Sequence, residues 1–442
     1  MISNHESDLQ NTVEKLVDFA RKNGADQVQI SIGSGEEFTV EVLNKEIEKL
    51  TQAGSLGLGM KIIVDNKVAT ASTNDMDEDS LLGMVLRTLE RAKLSNMDVF
   101  SGLPESVSEI PDIDLLLFDD KIDDLTPEYK INFALELERV CLLDKRIVLS
   151  VGSYYSTQKS EHYLANSKGF SGSYKRSSCS SGIHLQAGDN NEKFEDGWFS
   201  TAINPDDMQS VESISAKAVE RAVRLIGARK IDSQIVPVIF EPGVTSSLLA
   251  FLSGTINGHS IYMNRSLFKD KLGEKIAADI VNIKSDGLLP GKFGSKLFDA
   301  EGVASRNIDV IENGVLKSYL LDTYSARKLD MQSTGNASGS NNFYLCPGNN
   351  SLEAMIKSID NGILITKLIG QGTNPVTGDI SKGAFGLMIE NGEISYPVHE
   401  ITISGNLAVI LKNFEMIGND FEWNRTIVGP SIKISELSIS GK

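Results

Sequence analysis

Apolar residues recur at helical spacing near the start of the chain, where Leu9, Val13, Leu16, Val17 and Ala20 fall on one face. Lys22-Asn23-Gly24 supplies a basic last turn and a glycine stop. The period then changes. Residues 28–32 alternate as a strand should, with Gly33 and Gly35 expected to close it. Further extended runs cover 38–42 and 57–64, and Asp65-Asn66 predicts a turn into a strand at 67–71. Leu81, Leu82, Val85, Leu86, Leu89 and Ala92 restore the helical period, with Asp77, Glu78 and Asp79 near the positive end of that helix. This order predicts helices packed on one face of a small sheet.

Between 101 and 120 the periodicity stops, and Pro104, Pro111 and six acidic residues mark an extended connector. Thr126-Pro127-Glu128 restarts a helix with a capping hydroxyl and a proline in its first turn, running to about Leu142. Short strands alternating with turns are expected over 147–187, including the turn Asn166-Ser167-Lys168-Gly169, and then a helix over 213–226. Beyond 230 the pattern turns mostly to strands. A buried-type strand at 235–240 leads through Glu241-Pro242-Gly243 into a helix with Val244, Leu248, Leu249 and Leu252 on its apolar face. Asn313-Gly314 and Asn391-Gly392 are type I′ hairpin signals, and late strands are expected at 400–404 and 432–439. The reading is an α+β fold: an N-terminal α/β domain over 1–230 with helices on a small sheet, and a C-terminal β-rich domain over 231–442 with antiparallel hairpins and a few helices.

Composition narrows the function. Among 442 residues, 43 Lys+Arg face 60 Asp+Glu, a formal charge of −17. With no dense basic patch, neither direct nucleic-acid binding nor attachment to an anionic membrane is expected. No apolar run reaches the ~18 residues of a membrane helix. Cys141, Cys179 and Cys346 are too few and scattered for a disulfide scaffold, and the first eight residues lack a signal-peptide pattern, so a cytoplasmic protein is expected.

The search for catalytic motifs is mostly negative. No His-Glu-x-x-His pair, Gly-x-Ser-x-Gly elbow, Gly-Lys-Ser/Thr loop or Cys-x-x-Cys pair occurs. His5, His162, His184, His259 and His399 are isolated along the chain; convergence of His259, His399 and Cys346 would need the fold to bring them together. The most unusual stretch is 369–379, where Gly370, Gln371, Gly372, Thr373 and Asn374 are candidates to line a peptide cleft; a turn between two strands is the plainer reading. Ser333-Thr334-Gly335-Asn336-Ala337 is a second polar loop of the same ambiguity.

Taken in order, Gly24-Ala25-Asp26, Gly57-Leu58-Gly59, Asn166-Ser167-Lys168-Gly169, Ser333-Thr334-Gly335-Asn336 and Gly372-Thr373-Asn374-Pro375-Val376-Thr377-Gly378 form a set. Residues 397–406, Pro-Val-His-Glu-Ile-Thr-Ile-Ser-Gly-Asn, complete it. From the first helix to the C-terminus the chain resembles the modulator of DNA gyrase family, TldD/TldE, and within it the TldE branch, also called PmbA. The resemblance implies two paralogous subunits that pair as a cytoplasmic zinc protease acting on unfolded or flexible peptides.

In the TldD branch a helix carries His-Glu-x-x-x-His, with a further Cys ligand near the C-terminus. Aligned on Leu248-Leu249 and Gly254, this chain places Ala250, Phe251 and Thr255 at the positions of the His, Glu and His, and no cysteine follows Cys346. None of the three side chains can act as an imidazole ligand or general base. The expectation is a non-catalytic subunit with no metal of its own, zinc residing in a TldD-like partner. Assembly would be a heterodimer or larger complex with that paralogue, or a homodimer, handling an extended peptide through strand edges. A regulator that binds gyrase directly is the alternative, and an independent hydrolase using an unrecognised nucleophile is a third.

Overall fold

The computed structural model describes residues 2–107, 109–188 and 192–442, with the backbone alone for 2–8, so that the side chain of His5 lies outside the described residues. The fold is α+β, with sheets in both halves. The first half runs α1 (Ile2–Lys22), β1 (Gln27–Leu43), β2 (Glu46–Val64), β3 (Lys67–Thr73), α2 (Glu78–Leu94), α3 (Pro127–Cys141), β4 (Ile147–Asn166), β5 (Ser171–Gly188), β6 (Lys193–Ala202) and α4 (Val211–Val223). Its strands form one antiparallel sheet in the order β3-β2-β1-β4-β5-β6.

This sheet is larger than the sequence suggests. Gly33 and Gly35 do not close a strand; they lie inside β1, where Gly33 pairs with Gly57 on one side and His162 on the other. A central strand bonded along both edges carries two glycines through, because the ladder outweighs their weak intrinsic preference. Likewise the expected short strands over 147–187 are the two long strands β4 and β5, joined at Asn166-Ser167-Lys168-Gly169. Gly169 takes a positive φ of 98° in that turn.

The long strands let one sheet serve two helix pairs. On β1, Val28, Ile30 and Ile32 are buried in one cluster with Leu16 of α1 and Val85 of α2. Further along the same face, Phe38, Val40 and Val42 pack with Ala134 of α3. The side chains between them on the opposite face are Gln29, Ser31, Glu37, Thr39 and Glu41, all half-buried or exposed. Local signals hold the helices: the Asp77 side chain accepts from Ser80 N–H, and the Thr126 hydroxyl accepts from Tyr129 N–H ahead of Pro127.

The second half runs β7 (Gln234–Phe240), α5 (Pro242–Thr255), α6 (Gly258–Tyr262), β8 (Ile283–Asp286), β9 (Asn307–Glu312), β10 (Val315–Leu316), α7 (Thr323–Lys328), β11 (Asn342–Leu345), α8 (Leu352–Lys357), β12 (Asn361–Ile369), β13 (Asp379–Glu390), β14 (Glu393–Asn406), α9 (Leu407–Lys412), β15 (Phe414–Ile417), β16 (Ile427–Val428) and β17 (Ile432–Ser440). One sheet has the order β14-β13-β12-β7-β17-β15 and curls so that β14 also meets β17; a smaller one has the order β10-β9-β8-β11-β16. Both expected Asn-Gly hairpins form, Asn313 and Gly314 at φ 48° and 78°, Asn391 and Gly392 at 52° and 79°. Most pairings are antiparallel, but β12–β7 and β11–β16 run parallel. A single core joins both sheets around α5 and α9, including Phe240, Leu249, Leu252, Phe343 and Ile434.

Candidate functional site

Helix α5 follows directly from the buried strand β7, with Glu241 as its N-cap and Pro242 in its first turn. Its apolar face, Val244, Leu248, Leu249 and Leu252, is buried as the spacing predicts. The three positions aligned with the metal motif lie in different surroundings. Ala250 is exposed, Phe251 is half-buried, and Thr255 is fully buried with its hydroxyl donating to the Leu252 carbonyl at 2.6 Å. Phe251 packs against the main core and lines a small apolar cavity of about 20 Å³ with Phe240, Leu248, Ile380 and Ile410.

Thr373 of the glycine-rich stretch lines that same cavity. The fold therefore brings Phe251 and Thr373 together. Gly370, Gln371, Gly372 and Asn374 stand apart from it, in the connection between β12 and β13. That connection is a well-bonded turn: Ser381 N–H donates to the Gly372 carbonyl at 2.7 Å, and Asn374 N–H to the Asp379 carbonyl at 2.9 Å. The second polar loop is structural in the same sense, since the Thr334 hydroxyl accepts from Leu321 N–H at 2.7 Å and Asn336 is buried. His259, His399 and Cys346 do not converge. The ring of His259 meets Tyr262, that of His399 packs on Phe194, and among the described residues no group of three or more His, Cys, Asp or Glu is placed to hold a metal.

The larger cleft, about 580 Å³, lies between the two halves. Its walls come from β6 (Asp196, Trp198, Phe199), α4 (Lys217, Arg221), the start of α5 and the segment from Asp420 to Gly429. A buried ion network forms one side. Arg224 donates to both Glu241 oxygens at 2.6 and 3.0 Å, while Arg221 reaches Glu241 at 3.2 Å and Asp196 at 3.0 Å. Burial opposes the charge of Arg224, but the Glu241 carboxylate outweighs it and its pKa is raised. Glu241 caps α5 through its backbone carbonyl, which accepts from Val244 and Thr245 N–H, leaving its carboxylate for the arginines.

Sequence reasoning missed this cleft, whose residues are contributed by eight separated segments between Tyr154 and Gly429. The one local hint is Arg221 and Arg224, three apart at the end of a helix, answered by an acid at the N-cap of the next helix.

With this geometry in place, comparison with known proteins identifies the class. Family models described as PmbA/TldA metallopeptidase domain 1, central domain and C-terminal domain match residues 28–92, 120–226 and 233–441. The chain belongs to this PmbA/TldD metallopeptidase family. Among its relatives, the metalloprotease PmbA homolog of Buchnera aphidicola (subsp. Acyrthosiphon pisum) is 32% identical, the match covering 100% of this chain and 98% of that protein. Metalloprotease PmbA of Escherichia coli O157:H7 is 31% identical over 95% and 93%. Among solved structures, a candidate modulator of DNA gyrase from Bacteroides thetaiotaomicron superposes with a TM-score of 0.93 at 28% identity, covering 98% of each chain. Among the described residues no helix is long and apolar enough to cross a membrane.

Proposed function

We propose that this chain is a non-catalytic, cytoplasmic subunit that pairs with a zinc-bearing TldD-like paralogue and helps to hold an extended peptide for cleavage by it. The carrying observation is the donor chemistry of α5. Ala250 offers a methyl, Phe251 a benzyl turned into the core, and Thr255 a buried hydroxyl already given to Leu252. These residues do not fit zinc, which takes imidazole, thiolate or carboxylate ligands. What it does offer is a peptide-sized cleft with polar and aromatic walls beside a sheet edge, where backbone hydrogen bonds can hold an extended segment.

Elemental analysis of the purified chain, run alongside peptide cleavage with and without a His-Glu-x-x-x-His homologue, tests this. Metal-free protein that restores cleavage only with the homologue is the expected result; stoichiometric zinc and cleavage by the chain alone would overturn it. The name carried by the Bacteroides relative favours a second reading, direct action on gyrase. Altered gyrase supercoiling by the purified chain alone would establish that instead.

A further inference from the structure

A second cavity, of about 280 Å³, lies where the sheet of the first half meets the second half, and it shares no lining residue with the large cleft. Its floor is a patch on the sheet face away from α3, on which Tyr155 and Cys179 pack: Ser160 of β4 stands opposite Arg176 of β5, and Gln158 opposite Ser178. Side chains alternate along a strand, so these four point one way while Glu161 and Lys175, paired at 3.2 Å, point the other. Thr426 adds a further hydroxyl, and Leu117, Ile203 and Phe293 supply apolar walls.

Among the described residues, Arg176 is the only charged one lining this cavity, and no carboxylate meets it. It donates to the Phe293 carbonyl at 2.9 Å and to the Ser295 carbonyl, and its guanidinium carbon lies 5.3 Å from the Tyr174 ring centroid. Those two bonds leave three of its five N–H groups. Half-buried, it loses enough hydration to lower its pKa. The titratable groups beside it bring no free negative charge. Lys296 is buried, answered by Asp299, and donates to the Ser338 hydroxyl at 3.1 Å. His162, whose ring meets Tyr174, has its pKa lowered by burial and by Arg176 and is neutral at pH 7. Within the cavity the side chains of Gln158, Ser160, Ser178 and Thr426 make no hydrogen bond to the protein among the described residues, yet none of their polar atoms is sealed from solvent, so they open onto the cavity.

We propose that this cavity binds a small carboxylate, its oxygens on Arg176 and its remaining polar groups on Gln158, Ser160, Ser178 and Thr426. A cation withdrawn from water without an anion is costly, and a carboxylate offers the planar pair of acceptors that a guanidinium matches. The charge to be matched is single. A phosphate dianion would keep one charge uncompensated, because Lys296 already faces Asp299 and His162 is neutral. Leu117, Ile203 and Phe293 suit the carbon skeleton of the acid. The volume sits at the small end of ligand pockets, room for one acid of amino-acid size or for the last residue of a peptide. Gln158 is exposed, so solvent reaches the cavity from that side. Since no lining residue is shared with the large cleft, occupancy here does not depend on the peptide reading above.

The test titrates the full chain by isothermal calorimetry, at constant ionic strength, with N-acetylalanine, its amide, acetyl-trialanine with a free carboxylate, and inorganic phosphate. Both carboxylates should bind about tenfold or more tightly than the amide, the factor a charge-assisted hydrogen bond supplies, and phosphate should bind more weakly than either. R176Q should abolish the preference for carboxylate over amide. Because Arg176 also bonds the backbone at Phe293 and Ser295, S160A and T426V serve as variants that leave those bonds in place. Each should weaken N-acetylalanine about fivefold while the circular dichroism spectrum stays native. Affinity for N-acetylalanine equal to or above that for acetyl-trialanine identifies a free acid as the occupant, and tighter binding of acetyl-trialanine identifies the carboxyl end of a peptide; both uphold the site. No binding of either carboxylate, equal affinity for carboxylate and amide, tighter binding of phosphate, or indifference to both S160A and T426V would overturn it.

Discussion

Arg224, the C-cap of the last helix of the first half, donates to both carboxylate oxygens of Glu241, the N-cap of α5 in the second half. Both side chains are largely withdrawn from solvent, at 15% and 10% exposure. A buried carboxylate facing two guanidinium groups is costly to remove, because it leaves cations without a partner in a poorly hydrated place. E241Q should therefore lower stability by about 3 kcal/mol, read as a shift in the urea midpoint. A loss below about 1 kcal/mol would mean that water already shares this contact.

Asp299 sets a pH dependence of opposite sign to that of most carboxylates. Burial pushes its pKa up to about 6, against the N–H groups of Glu301, Val303 and Ala337, which donate to it and favour the charged form. Lys296 is buried nearby, with its own pKa lowered by desolvation. Since the folded pKa lies above the unfolded value, the folded state binds more protons between about pH 4 and 6. Stability from this group is present below about pH 4 and lost as pH rises through 6, a change on the order of 2–3 kcal/mol. In D299N that contribution disappears. The stability difference between the variant and the wild type should move in favour of the variant from pH 4 to pH 7, measured by urea unfolding at both; a constant difference would refute the assignment.

Phe251 and Ala250 are neighbours in sequence with different structural weight. Phe251 is packed against Phe240 and Leu248, so F251A opens a larger cavity beside Thr373 and should cost about 2 kcal/mol. Ala250 is exposed on α5, and A250S should change stability by less than about 0.5 kcal/mol. Thermal unfolding of the two variants checks both. Similar losses from the two would mean that the helix is rotated from the face described.

What could be read from sequence was local. Thr126 caps its helix, and Asn391-Gly392 turns its hairpin, because each effect is decided within a few residues. The continuity of β1 through Gly33 and Gly35 was not legible, since it depends on β2 and β4 pairing on either side of those glycines. The cleft was hidden for the same reason. Asp196, Arg221, Glu241 and Arg425 meet only after the sheet of the first half has docked on the second.

The glycine-rich turn gives a last contrast, between two glycines two residues apart. A Cβ on Gly372 would stand 1.5 Å from the Ser381 carbonyl oxygen, backbone that is bonded to this turn. Gly370 has open space around its Cβ position but a φ of 84°, which an L side chain adopts at a cost. G370A should therefore cost about 1–2 kcal/mol from strain alone. G372A must displace the β12–β13 connection and should cost about 3 kcal/mol, the upper end of what overpacking produces. If the turn only linked two strands loosely, both variants would melt alike in a calorimetric scan. A lower melting temperature for G372A than for G370A marks a turn whose backbone is held in register by the Gly372–Ser381 contact.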